Sequence, residues 1–192
     1  MTTSTIINVI DYGPLAALIG SWEGDKGMDI APEPDGTEEN PYYETIIYEA
    51  IGDVTNAEAQ TLAALRYHQV VKRKSNDKVF HNETGYWMWD SNTNTISQSL
   101  TIPRGVCLLA GGKGGEYDGK NCVLEVAAGI DNNDWGIIQA PFMRDNAKTT
   151  SFTHKISVVD GEMTYSETTM VDIFGKVFEH TDNNRMIYQK SK

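Results

Sequence analysis

Four histidines, His68, His81, His154 and His180, are the side chains of this sequence best suited to metal or proton chemistry near neutral pH. None forms a short-spaced pair with another histidine or a cysteine, the local arrangement on which structural zinc usually relies, so a zinc centre is the weaker reading. His180 stands apart, in Phe178-Glu179-His180, among polar residues after a run of strand-like segments. At the other end of the chain Gly20-Ser21-Trp22-Glu23-Gly24 is equally unusual. A small β-barrel closes its first strand against its last, so these two segments can border one cavity.

Other chemistries find little support. Cys107 and Cys122 are too few and too isolated for a disulfide framework, and they read as small buried hydrophobes. Gly-x-Ser-x-Gly is absent. Carboxylate pairs such as Glu38-Glu39, or Glu23 with Asp25, read as solvated loop charges, not as a glycosidase acid and base. The run Gly111-Gly112-Lys113-Gly114-Gly115 leads into Glu116 and Tyr117 and not into a helix start, so it reads as a flexible turn, not a phosphate loop. A net charge of −11 opposes association with nucleic acid or an anionic membrane. Thr5 to Ile10 lacks the basic flank and cleavage site of a secretion signal, and no apolar stretch nears the ~20 residues of a membrane span. The expectation is a soluble, cytoplasmic protein.

The elements that must position the histidines are strands. From Thr95 to Ile102, and again from Ser151 to Val158, apolar and polar residues alternate with a period of two. Phe152, His154, Ile156 and Val158 share one face, which turns His154 inward. Further strands are expected over Tyr43 to Ala50, Leu62 to Lys74, Val79 to Trp89, Gly105 to Ala110, Asn121 to Ala128, Met163 to Asp172 and Arg185 to Gln189. Ser75-Asn76-Asp77, Asp90-Ser91-Asn92, Asp160-Gly161 and Asp182-Asn183-Asn184 supply turn chemistry between them. Along the Val79 strand, His81, Glu83, Trp87 and Trp89 fall on one face and Asn82, Tyr86 and Met88 on the other. Pro14 suits the first turn of a short helix that plugs one barrel end. Ala31 to Pro41 reads as a polar loop, and Asp131 to Asn146 as an irregular or partly helical excursion.

These signals imply an all-β chain: one closed antiparallel barrel of about ten strands, lipocalin-like or fatty-acid-binding-protein-like, with a short N-terminal helix. At 192 residues it is expected to form one domain over 1–192, with the barrel core over about 18–190, burying roughly 70% of its extended surface. Trp22, Tyr86, Ile96, Leu100, Phe152 and Ile156 are the expected core.

Gly20-Ser21-Trp22-Glu23-Gly24, Arg66-Tyr67, the segment His81 to Trp87, Ile102-Pro103-Arg104-Gly105 and the stretch Met170 to His180 together resemble the nitrobindin-like haem-binding β-barrel family. The resemblance runs from about Leu18 to Tyr188. Glu179 stands where that family often has proline, and one extra residue separates Gly24 from Gly27. The resemblance implies a ten-stranded barrel binding haem b, with His180 as the iron ligand. His154 and Met170 are lining candidates from strand alternation. It further implies binding of nitric oxide or another reactive nitrogen ligand and isomerisation of peroxynitrite to nitrate. A homodimer is a separate expectation. The alternative is a non-catalytic carrier of a fatty acid or another small apolar ligand.

Overall fold

The alternation read in the sequence becomes a barrel in the computed structural model, which describes residues 4–190. A two-residue pair, β1 (Ile6–Ile7) with β2 (Ile10–Asp11), leads into a 3₁₀ helix over Gly13–Leu18. Ten antiparallel strands follow: β3 (Gly20–Glu33), β4 (Gly36–Asn56), β5 (Gln60–Arg73), β6 (Val79–Asp90), β7 (Thr95–Ile102), β8 (Val106–Lys113), β9 (Cys122–Gly129), β11 (Ala147–Val159), β12 (Glu162–Ile173) and β13 (Lys176–Gln189). Each pairs with its neighbour around the ring, β13 closes on β3, and β8 meets β9 at Gly111 and Ala127. The short β10 (Ile137–Gln139) pairs outside the ring on β8, and a one-turn helix α1 (Pro141–Asn146) follows it. No described helix is long and apolar enough to cross a membrane.

The end bearing the 3₁₀ helix is packed solid. Leu15 and Leu18 are fully buried against a floor that includes Trp22, Leu65, Trp87 and Ile96, and the Trp22 indole N–H donates to the Leu18 carbonyl at 2.7 Å. Pro14 opens that helix, as its fixed φ allows.

Several expectations change. Ala31 to Pro41 is not a loop: β3 and β4 pair out to Glu33 and Gly36, since the extended φ of proline is compatible with a strand near its hairpin end. Asp182-Asn183-Asn184 is not a turn either. It lies inside β13, where an irregular register between Asn183 and Met186 absorbs the polar run. Gly111, Gly112 and Lys113 belong to β8, at the barrel seam. A Cβ at Gly112 would collide with the Glu125 carbonyl of β9, so close approach of the two backbones explains this glycine. Trp22, Ile96, Leu100, Phe152 and Ile156 are buried as expected, but Tyr86 is 44% exposed. The inner face of β6 carries His81, Glu83, Trp87 and Trp89, so the pleat turns Tyr86 outward. The excursion after Asp131 is partly helical, as read, and includes the short β10.

Candidate functional site

Opposite the packed end the barrel opens into a cavity of about 290 Å³. Its walls are largely apolar, with Val71, Phe80, Leu100, Val106, Phe152 and Val171 prominent. Arg73 and Arg104 are the two guanidinium groups among its lining residues. Arg73 lies over the Phe80 ring, 4.6 Å from its centroid, and donates to Asn40 at 2.9 Å.

Between this cavity and the packed end the inward positions turn polar. Two hydrogen-bonded chains make up the layer. In the first, the Tyr67 hydroxyl donates to Glu83 Oε1 at 2.5 Å and accepts from Gln98 Nε2 at 3.0 Å. Gln98 Oε1 lies 3.0 Å from His154 Nδ1, and Glu83 Oε2 lies 3.1 Å from His81 Nε2. With the Gln98 amide committed to Tyr67, its oxygen can only accept, so His154 carries its proton on Nδ1 and presents a bare Nε2. That atom is buried without a partner among the described residues, as is the indole Nε1 of the neighbouring Trp87. In the second chain, the Tyr42 and Tyr165 hydroxyls lie 2.6 Å apart, and Tyr165 donates to Glu44 Oε2 at 2.6 Å. Asn184 and Gln69 donate to the same carboxylate at 2.8 and 3.0 Å.

Burial sets the electrostatics of the layer. It pushes the Glu44 carboxyl up to about 7 even though Asn184 and Tyr165 donate to it. It raises the Tyr67 and Tyr165 phenols well above their ordinary value, with the adjacent carboxylates Glu83 and Glu44 adding to the rise. Glu167 is held well above the ordinary carboxylate range by burial and then by the charges of Glu83, Asp182 and Glu44. His154 moves the other way, down to about 4, because burial disfavours its charged form.

His180 lines the cavity from β13. Its Nε2 lies 2.6 Å from Asp29 Oδ1 and 3.5 Å from Asp182 Oδ2. Asn40 donates to the other Asp29 oxygen at 2.9 Å, fixing the carboxylate that faces the ring. Burial would lower the His180 pKa, but the Asp29 hydrogen bond and the charge of Asp182 outweigh it and raise it. The same balance, with Glu83 as the partner, raises His81. Thus His180 and His81 both line the cavity, while His154 lies in the layer beneath it, edge-on to the cavity-lining Phe152 and Tyr165. His68 sits outside, beside Asn82. Met170, expected to line the cavity, faces away from it: Glu167, Thr169, Val171 and Ile173 are the lining residues of β12, and the pleat puts Met170 on the opposite face.

Sequence reasoning missed Asp29, Glu44, Tyr42, Tyr165, Glu167 and Asp182. The available signal was a carboxylate or phenol at an inward strand position, as for Glu44 between Tyr42 and Ile46.

The donor set suits a haem. Two imidazoles offer nitrogen to iron, apolar walls accept a macrocycle, and guanidinium groups at the cavity can meet its carboxylates. Comparison with known proteins agrees. The profile of the family described as "THAP4-like, heme-binding beta-barrel domain" matches residues 11–187. Among solved structures, Rv2717c from M. tuberculosis superposes with a TM-score of 0.68 at 20% identity, over 92% of this chain and 95% of that one, a likeness of fold. Among curated proteins no sequence matches.

Proposed function

For this chain, which belongs to the THAP4-like haem-binding β-barrel domain family, we propose that haem b sits in the cavity with His180 as its protein ligand, and that the protein binds nitric oxide and isomerises peroxynitrite to nitrate. The observation that carries the reading is an imidazole fixed by a buried carboxylate inside an apolar-walled cavity. Such a partner sets ring orientation and raises ligand basicity. Bound there, haem would supply an iron able to take a small nitrogen-oxide ligand.

The protein's own groups do the rest. Asp29 holds His180 through Nε2; ligation at that nitrogen exchanges the Asp29 contact for the metal, whereas ligation at Nδ1 retains it. Phe80, Leu100, Val106 and Phe152 restrict water around the guest. Arg73 and Arg104 would meet the carboxylates of the macrocycle. His81, the other cavity imidazole, is the internal competitor for iron.

Haem titration of the haem-free protein tests the assignment. His180→Ala should abolish the histidine-bound absorption spectrum, with His68→Ala leaving it intact and His81→Ala changing it little. Unchanged affinity and spectrum in His180→Ala would remove His180 as the ligand. Stopped-flow decay of peroxynitrite should accelerate with haem-loaded protein beyond free haem, and neither the haem-free protein nor His180→Ala should show that acceleration.

A further inference from the structure

A phenol gives up an electron readily only where a base takes its proton in the same step, because loss of the electron turns a weak acid into a strong one. Tyr165 has such a base. It lines the cavity and donates its hydroxyl proton to Glu44 Oε2 at 2.6 Å, whereas Glu44 is not a lining residue. An oxidant in the cavity thus faces the phenol, and the proton acceptor stands behind it. Glu44 is itself held in place, since Asn184 and Gln69 donate to its carboxylate at 2.8 and 3.0 Å. Tyr42, a second lining phenol, has its oxygen 2.6 Å from that of Tyr165 and 3.1 Å from the Asn183 carbonyl. With the Tyr165 proton committed to Glu44, the hydrogen available to the shorter contact is that of Tyr42, and such a donor stabilises a phenoxyl oxygen. Tyr165 is 7% exposed, which shields it from reductants in bulk water. Tyr67 repeats the donor geometry on Glu83 at 2.5 Å but does not line the cavity, and Tyr43 donates to Asp77 at the surface.

We propose that Tyr165 is a redox-active tyrosine, oxidised by small one-electron oxidants that enter the cavity, of the class of nitrogen dioxide or the azidyl radical. The oxidant takes one electron and leaves as its anion, nitrite or azide. The Tyr165 O–H bond breaks, and its proton forms a new O–H bond at Glu44 Oε2. The products in the layer are a neutral phenoxyl and a neutral carboxylic acid, so the step removes the buried charge of Glu44. Burial disfavours that charge and pushes the Glu44 carboxyl up to about 7, which makes it the stronger proton acceptor once ionised.

Pulse radiolysis of azide solutions supplies the azidyl radical to the haem-free full chain, at mildly alkaline pH where Glu44 is ionised. Transient absorption and freeze-quenched electron paramagnetic resonance should show a long-lived tyrosyl radical. Tyr165→Phe should lose most of that signal. Glu44→Gln, which keeps a carbonyl acceptor but takes up no proton, should lose it as well. Tyr86→Phe, on the outer face, should retain it in full. Deuterated solvent should slow radical formation in the parent protein, a response that a merely structural Glu44 does not give. An undiminished signal in Tyr165→Phe, or a loss confined to Tyr67→Phe, overturns the proposal. Unchanged radical yield in Glu44→Gln, or no solvent isotope effect in the parent, equally overturns the assigned proton transfer. No step uses haem, so the haem reading stands or falls separately.

Discussion

Replacing Tyr67 with phenylalanine removes one oxygen atom from the centre of the polar layer and leaves its ring in place. That oxygen donates to Glu83 Oε1 at 2.5 Å and accepts from Gln98 Nε2 at 3.0 Å. Glu83 is 2% exposed and Gln98 fully buried, so water cannot take over either bond. Each stranded buried group costs ~1–3 kcal/mol, and the donor bond lost by Glu83 goes to a carboxylate, so the variant should lose about 3 kcal/mol. In a domain of this size that lowers Tm by roughly 6–12 °C. Urea titration followed by tryptophan fluorescence measures the free energy directly, and Tyr86→Phe, whose ring lies on the outer face, should stay within about 0.5 kcal/mol of the parent. A loss below about 1 kcal/mol for Tyr67→Phe would mean that the chain from His154 to His81 is not closed, and the tautomer argued for His154 would lose its support.

Three further substitutions address the layer and the sheet around it. His154, held near 4 in the fold against an ordinary 6.5, stays neutral where the unfolded chain takes up a proton, so its share of stability is present above pH 6.5 and is lost as pH falls to about 4. Glu44, held near 7 against 4.5, keeps a proton that the unfolded chain releases, so its share is present below pH 4.5 and is lost as pH rises through 7. Each amounts to about 3 kcal/mol and the two oppose. Glu44→Gln should therefore gain stability as pH rises from 4 to 6.5, His154→Gln should lose it from 4.5 to 7, and parallel pH profiles for the two variants would contradict the assignment. At the β6–β7 contact, Gly85→Ala should cost ~2 kcal/mol or more, because its Cβ would collide with the Ser99 carbonyl and press on the Tyr67 ring. A neutral result by denaturant titration would mean that the two strands can separate there without loss.

Strand alternation made the barrel legible, since a half-buried sheet must place apolar residues at every second position. Ile96, Leu100, Phe152 and Ile156 followed that rule into the core, and His154 followed it inward. Local turn chemistry misled where tertiary pairing outweighed it: Asp182-Asn183-Asn184 has the composition of a turn, yet pairing of β13 with both β12 and β3 holds it extended. Tyr86 was misplaced because an aromatic residue suggests burial by type, whereas the pleat assigns the inward positions to Glu83, Gly85 and Trp87. The place of His180 at the cavity was signalled only by the order of motifs along the chain. Its partner Asp29 lies 151 positions away on β3, and no local pattern links residues at that separation. The carboxylate layer was invisible for a related reason. Each of its members sits singly on a different strand, and barrel closure alone brings them together.

The cost of that layer bears on what the barrel is for. An apolar filling of similar volume is usually as stable as a buried network of charges, or more so, because ions leave water at a penalty that their mutual attraction seldom repays. Here five carboxyl groups, Asp29, Glu44, Glu83, Glu167 and Asp182, gather around a cavity whose basic side chains are His81, His180, Arg73 and Arg104. The packed end shows that this sequence can fill a barrel with tryptophan, leucine and methionine, as Trp22, Leu65, Trp87 and Met163 do. Stability alone would continue that filling upward and close the cavity. Instead the inward positions change from apolar to acidic at one level, from Tyr42 and Glu44 on β4 around to Tyr165 and Glu167 on β12. A local departure from the packing rule that recurs on five strands around one cavity is the mark of a binding floor.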